Sequence, residues 1–317
     1  MIIISAELIH KKYKYEKKIS KFPPPHHVKK GFFILSLKTD NGLIGYGELS
    51  SYESDFNSVV KLFKNKFSKS VKNLKVTKNI FNNHNSVIEK TSRLESTIHA
   101  AISQCLLDIL SKNKSIPAFK YFGKTKKAIK AYASGGLIFS NQEYESLLDE
   151  MHLAKEKKFF GWKFRPSTPK LFLDHHKRFT QKPKIDISKL SKFCLLARKE
   201  VGDKFNLMID LGCRLNPGKE AKYFLNLLKE LNFYFVEEPF DRKYQNYREY
   251  KKINNLACGE DVTSINTLKK YSKHKQIKYL QPDINLLTVE NLLHFSSKNK
   301  KKIIMHNWTK SGSFYAN

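Results

Sequence analysis

From about residue 128 onward, short apolar segments alternate with amphipathic helical stretches, and this rhythm limits the fold more than any other feature of the chain. The apolar segments read "IKAYASGG", "GWKFRP", "FNLMIDLG", "FYFVEEPF", "LACGED", "IKYLQPDI" and "KKIIMHNW". Between them lie helical patterns such as "NQEYESLLDEMHLAKEKK", "ISKLSKFCLLARKEVG" and "GKEAKYFLNLLKELN". Apolar strands separated by helices pair in parallel, because the crossover helix returns each strand to the same end of the sheet. Seven such segments in one run favour a closed (β/α) barrel over an open sheet. In such barrels the chemistry gathers at the C-terminal ends of the strands.

The preceding residues have a different pattern. "IIISAELIH" and "GFFILSLKT" alternate as strands, "DNG" at 40–42 is a hairpin turn, and "LIGYGEL" is a third strand. Helical patterns then run to about residue 122, the clearest being "RLESTIHAAISQCLLDILSKN". Two domains follow as an expectation: an N-terminal α+β domain over 1–125 and a (β/α) barrel over 126–317. A chain of 317 residues with 40% hydrophobic content can bury a core, which excludes wholesale disorder. No stretch reaches the roughly 18 uncharged apolar residues that a membrane span needs, and "MIIISAELIH" lacks the shape of a signal peptide. Cys105, Cys194, Cys213 and Cys258 stand singly, with neither zinc spacing nor a disulfide framework. A reducing, cytoplasmic setting is the expectation.

The 59 Lys and Arg against 29 Asp and Glu give a net charge of +30. Such an excess suggests a polyanionic partner. The lysines, however, are spread along the whole chain amid many Asn, Ile, Phe and Tyr, a bias that AT-rich coding also produces. No nucleic-acid-binding module pattern appears, so nucleic acid is not the expected partner.

Ionisable residues mark the strand ends. The second barrel strand carries Lys163 and Arg165, the third Asp210, the fourth Glu237, the fifth Glu260, the sixth Asp283 and the seventh His306. The acids at 210, 237 and 260 recur roughly every 25 residues, about one β/α unit. Three carboxylates at one mouth repel and raise one another's pKa unless a cation lies among them. A hard divalent ion such as Mg²⁺ suits oxygen ligands. Since strand side chains alternate between faces, only one of Glu237 and Glu238 faces inward; Glu237 is the candidate, and Glu238 is expected to meet the outer layer or a partner behind the metal ligands.

The ordered set "KFR … MIDLG … VEEPF … GED … QPD … MHNW" resembles the enolase superfamily, closest to its mandelate racemase subgroup. "GLIGYGE", "IHAAISQCLLDIL", "PAFKYFG" and "AYASGG" fall where that family's capping domain and first barrel strand have similar phrases. The resemblance implies that Asp210, Glu237 and Glu260 bind Mg²⁺, that Lys163 and Arg165 occupy the Lys-x-Lys site, and that Asp283 and His306 form the Asp–His dyad. It implies proton abstraction next to a carboxylate, with Mg²⁺ stabilising the enediolate that forms. A His base suits such chemistry near neutral pH.

Arg165 departs from the family's usual Lys. A guanidinium stays protonated and clamps anions rather than accepting protons. With His306 as the one good base and Lys163 a poorer second, the expectation tilts toward dehydration of a sugar acid and away from two-base racemisation. A racemase, epimerase or cycloisomerase of the same superfamily is the alternative, and a non-catalytic basic barrel binding polyanions is an alternative of another class. The insertion "STPKLFLDHHKRFTQKPKID" brings His175 and His176 as candidate substrate contacts. The loop from Tyr13 to Lys30, with His26 and His27, lies where the resemblance puts a lid that carries specificity. The chain stops at "SGSFYAN", just past the seventh strand, so a barrel truncated before its eighth strand is expected. A homo-oligomer acting on a small carboxylate substrate, away from membranes, completes the expectation.

Overall fold

A computed structural model describes residues 1–14, 29–49, 56–77, 92–123, 128–139, 144–168, 185–244 and 246–306. The chain divides into two compact units, one of residues 1–127, 259–270 and 281–317, the other of 128–258 and 271–280.

The N-terminal residues form an antiparallel sheet in the order β1 (Ile3–Lys14), β2 (Lys29–Thr39) and β3 (Ile44–Glu48). The β2–β3 hairpin turns where Asp40-Asn41-Gly42 predicts it. Gly42 has φ +86°, and its N–H donates to the Thr39 carbonyl at 3.0 Å. On β2, Phe33, Leu35 and Leu37 are buried at every second position, the period a half-buried strand requires. A short helix α1 (Phe56–Leu62) runs through a π turn at Phe63–Phe67 into α2 (Ser68–Val71). The long helix α3 (Arg93–Asn113) begins at a capping box: the Glu95 N–H donates to Ser92 Oγ at 3.2 Å, and the Ser92 N–H donates to Glu95 Oε2 at 2.9 Å. A one-turn helix α4 (Ala118–Tyr121) follows.

Helix α3 lies against β3, and two glycines make that approach possible. A Cβ at Gly45 would meet the carbonyl oxygen of Cys105, and a Cβ at Gly47 would meet that of Ala101. The strand thus touches the helix backbone to backbone, an approach open only to a residue without a side chain.

Seven further strands form the parallel sheet, in the order β4 (Ala133–Phe139), β5 (Gly161–Thr168), β6 (Asn206–Asp210), β7 (Phe235–Glu237), β8 (Leu256–Cys258), β9 (Ile277–Leu280) and β10 (Lys302–Ile303). Between them come α5 (Leu148–Glu156), α6 (Ile187–Val201), α7 (Lys219–Glu230), α8 (Ile265–Ser272) and α9 (Val289–Lys298). This is the α/β architecture expected from the alternation of apolar and amphipathic segments. The β6 residues Leu207, Met208 and Ile209 are all buried, as in a strand covered on both faces. Helix α7 turns Ala221, Phe224, Leu225 and Leu228 inward at helical spacing. Each large side chain so buried contributes about 1.5–3 kcal/mol. Where α6 and α7 end, the buried Arg198 guanidinium donates to the carbonyls of Leu231, Gly202, Phe205 and Asn232 at 2.7–3.1 Å. It satisfies four chain-end acceptors that no helix or strand serves.

Candidate active site

In the unit of residues 128–258, three adjacent strands bring four charged side chains together. Lys163 and Arg165 are two apart on β5, so they share a face. Asp210 and Glu237 are register partners at the ends of β6 and β7. Lys163 Nζ lies 2.5 Å from Glu237 Oε2, and Arg165 Nη1 lies 3.3 Å from Asp210 Oδ2. All four are buried, Glu237 completely. Burial disfavours the Lys163 charge, but the Glu237 carboxylate, helped by Tyr132 and Asp210, outweighs it and raises the lysine pKa. The chain then turns at Gly212 (φ +54°), whose N–H donates to Asp210 Oδ1 at 2.8 Å. A Cβ at Gly212 would stand 2.7 Å from Arg165 Nη2 and 2.9 Å from Arg214 Nη1, so two guanidinium groups approach one side of this turn.

Glu238 leaves the strand with φ +40° and is buried at 2% exposure. The Cys213 thiol lies 3.7 Å from its Oε2. The two adjacent acids therefore have different neighbours: Glu237 meets Lys163, whereas Glu238 meets a thiol.

The unit containing 259–270 and 281–317 holds the other three strand-end residues. His306 Nδ1 lies 2.9 Å from Asp283 Oδ2, and His306 Nε2 lies 3.3 Å from Glu260 Oε2. The backbones of Asp283 and His306 form a parallel bridge, with the His306 N–H donating to the Pro282 carbonyl at 3.0 Å. Asp283 is 1% exposed and Glu260 5%. An ionised carboxylate only accepts, so the Asp283 contact calls for a proton on Nδ1, and Nε2 faces Glu260. The far oxygen of Asp283 is also occupied: Oδ1 accepts from the Asn285 N–H at 2.7 Å and from Asn285 Nδ2 at 3.1 Å.

His26, His27, His175 and His176 lie outside the described residues. Asn285 and its neighbour Gln104 were not among the residues singled out from the sequence. Gln104 shares the buried face of its helix with Ser96, Thr97, His99 and Ser103, so nothing in the sequence set it apart. All four cysteines are buried thiols outside any disulfide. Among the described residues, no helix is long and apolar enough to cross a membrane.

A family described as Enolase C-terminal domain-like matches residues 149–314. The chain is 24% identical over 145 residues to an arabinonate dehydratase from Saccharolobus solfataricus; the match covers 46% of this chain and 34% of that protein. The chain therefore spans about a third of the length of the curated relative it matches. Among solved structures, a racemase from Streptomyces coelicolor A3(2) with bound magnesium superposes with a TM-score of 0.78 at 14% identity, covering 96% of this chain and 83% of that one. The 3,6-anhydro-D-galactonate cycloisomerase from Zobellia galactanivorans gives 0.75 at 19% identity, covering 97% and 80%. At these identities the two structures establish a shared fold.

Proposed function

We propose, from the premise that this chain belongs to the Enolase C-terminal domain-like family, that it serves as an Mg²⁺-dependent sugar-acid dehydratase, with residues 1–125 as capping domain and 126–317 as catalytic domain. The observation that carries the reading is the buried 2.9 Å contact between His306 Nδ1 and Asp283. It holds the imidazole in one tautomer and supports the positive charge formed when Nε2 takes a proton. His306 removes the proton next to the substrate carboxylate and returns a proton to the departing β-hydroxyl. Arg165 clamps an anionic oxygen of the substrate, and Lys163 supplies a second positive charge there.

Asp210, Glu237 and Glu260 are the residues that would hold the metal. Their chemistry fits a hard cation, since all three are buried carboxylates and none is a thiolate. When bound, Mg²⁺ supplies a Lewis-acidic centre for the substrate carboxylate and for the charge that develops as the α-proton leaves. Dehydration is favoured over racemisation because neither basic residue of β5 is a ready second proton acceptor: Arg165 is permanently protonated, and Glu237 holds Lys163 in its charged form. The similarity to an arabinonate dehydratase supports the same choice.

The test is a screen of acid sugars in deuterated water, with Mg²⁺ and with chelator. The expected product is a 2-keto-3-deoxy acid that forms only with metal. A deuterated stereoisomer of the substrate would instead identify a racemase or epimerase, and turnover indifferent to chelation would refute the metal-dependent reading.

A further inference from the structure

We infer that Gln104, on helix α3, is a positioning residue for the Asp283–His306 pair, acting through Asn285. The inference rests on His306 being the proton acceptor proposed above. It follows from a directed chain of hydrogen bonds inside one compact unit of the molecule. The Glu48 backbone N–H donates to Gln104 Oε1 at 3.1 Å. Gln104 Nε2 donates to Asn285 Oδ1 at 3.2 Å and also faces the carbonyls of Ile284 at 3.3 Å and Glu48 at 3.4 Å. Asn285 Nδ2 donates to Asp283 Oδ1 at 3.1 Å, and Asp283 Oδ2 accepts from His306 Nδ1 at 2.9 Å.

The order of donors and acceptors is what gives the chain its meaning. A carboxamide is a two-ended group, with donors on one side and acceptors on the other, and it can be flipped. The Glu48 N–H belongs to the backbone and donates only, so it fixes the Gln104 oxygen at its own end. The Gln104 amino group is then turned toward Asn285 and fixes the Asn285 oxygen in the same way. The Asn285 amino group is thereby committed to Asp283. Reversing either amide would set an amide oxygen against a carbonyl or against the Asp283 carboxylate. Gln104 is 5% exposed, Asn285 0%, Asp283 1% and His306 6%, so water does not substitute for a broken link. Two backbone features hold the ends of the chain: the Glu48 N–H at the end of β3 and the Asp283–His306 bridge.

Gln104→Met removes both polar ends at nearly constant length. Gln104→Glu keeps an acceptor for the Glu48 N–H but, ionised, has nothing to donate to Asn285. Two readouts are needed: kcat and KM for substrate α-proton exchange, and the side-chain ¹⁵N spectrum of His306 in histidine-labelled protein, assigned with His306→Asn. Both variants are expected to lower kcat about 10- to 100-fold, to leave KM within about twofold and to move or broaden the His306 Nδ1–H signal. If melting temperature falls while kcat per folded molecule and the His306 signal are unchanged, Gln104 is merely structural and the inference is overturned. Should the wild-type protein exchange no α-proton, the function proposed above fails, and the spectrum decides alone. A Nδ1–H signal that shifts in both variants sustains the positioning role, and one that stays put overturns it.

Discussion

The two compact units treat their charged strand-end residues differently. In the unit of β5, β6 and β7, each acid faces a cation that seldom gives up its proton: Glu237 faces Lys163, and Asp210 faces Arg165. In the other unit, both acids face one imidazole, with Asp283 on Nδ1 and Glu260 on Nε2. The first arrangement holds charge, because neither guanidinium nor a carboxylate-paired ammonium changes state near neutrality. The second is suited to moving charge, because an ordinary imidazole has its pKa near neutrality. The reaction proposed above, taking the α-proton off a carbon acid, would need both functions, and they would then fall to different strands.

The comparison breaks most visibly if the two groups are interchangeable. Asp283→Asn leaves the imidazole without its carboxylate and is expected to reduce kcat by about 10³-fold, while Mn²⁺ binding, followed by titration calorimetry, stays within a few-fold of wild type. Asp210→Asn is expected to give the reverse pattern, with metal affinity reduced by about 10- to 100-fold and the His306 Nδ1–H signal unchanged. Equal loss of metal binding in both variants would erase the distinction. Arg165→Lys keeps the charge but loses the planar fork. It is expected to raise KM for the acid substrate about tenfold, with a smaller change in kcat. A drop in kcat alone would place Arg165 elsewhere in the reaction.

Smaller effects sharpen the contrast by showing what an acid does away from the strand ends. Glu290, at the start of α9, accepts from Ser103 Oγ at 2.6 Å, and burial pushes its pKa up to about 7. Because the folded value is raised, the protonated form suits the fold. This stability is fully present below about 4.5, the value expected of an ordinary Glu, and is lost as pH rises through about 7. Wild type should therefore lose on the order of 3 kcal/mol relative to Glu290→Gln between pH 4.5 and pH 8, read from denaturant midpoints. A constant difference across that range would contradict the raised pKa. The smallest effect expected is that of Ser92→Ala, which removes the α3 cap and should cost about 1 kcal/mol without altering turnover.

Much of this was legible in the sequence, for identifiable reasons. Helix α3 was legible because its apolar residues recur at helical spacing, and its bounds coincide with the segment read from the sequence. The candidate acids were legible because each ends an apolar run, where a carboxylate has no other evident cause. Strand lengths were less so. "FYFVEEPF" reads as one strand, but the ladder covers only Phe235–Glu237. The Glu238 N–H still donates to the Ala257 carbonyl at 2.9 Å, but its φ is positive and Pro239 has no N–H to offer, so the ladder goes no further. The first strand of the parallel sheet begins at Ala133, later than "IKAYASGG" suggests. Gln104 and Asn285 were illegible because an uncharged amide leaves no mark on periodicity or charge; only the donor–acceptor order in three dimensions distinguishes them.

The glycines of β3 then take on a meaning beyond packing. Gly45 and Gly47 press on the carbonyls of Cys105 and Ala101, and the amide at 104 sits between those two positions on the helix. Their missing methyl groups act as a spacer of zero thickness, setting how deeply α3 is seated and with it how far that amide reaches toward Asn285. An alanine at either glycine, chemically inert and distant in sequence from Asp283 and His306, would lift the helix by a fraction of an ångström, and the imidazole would register the displacement.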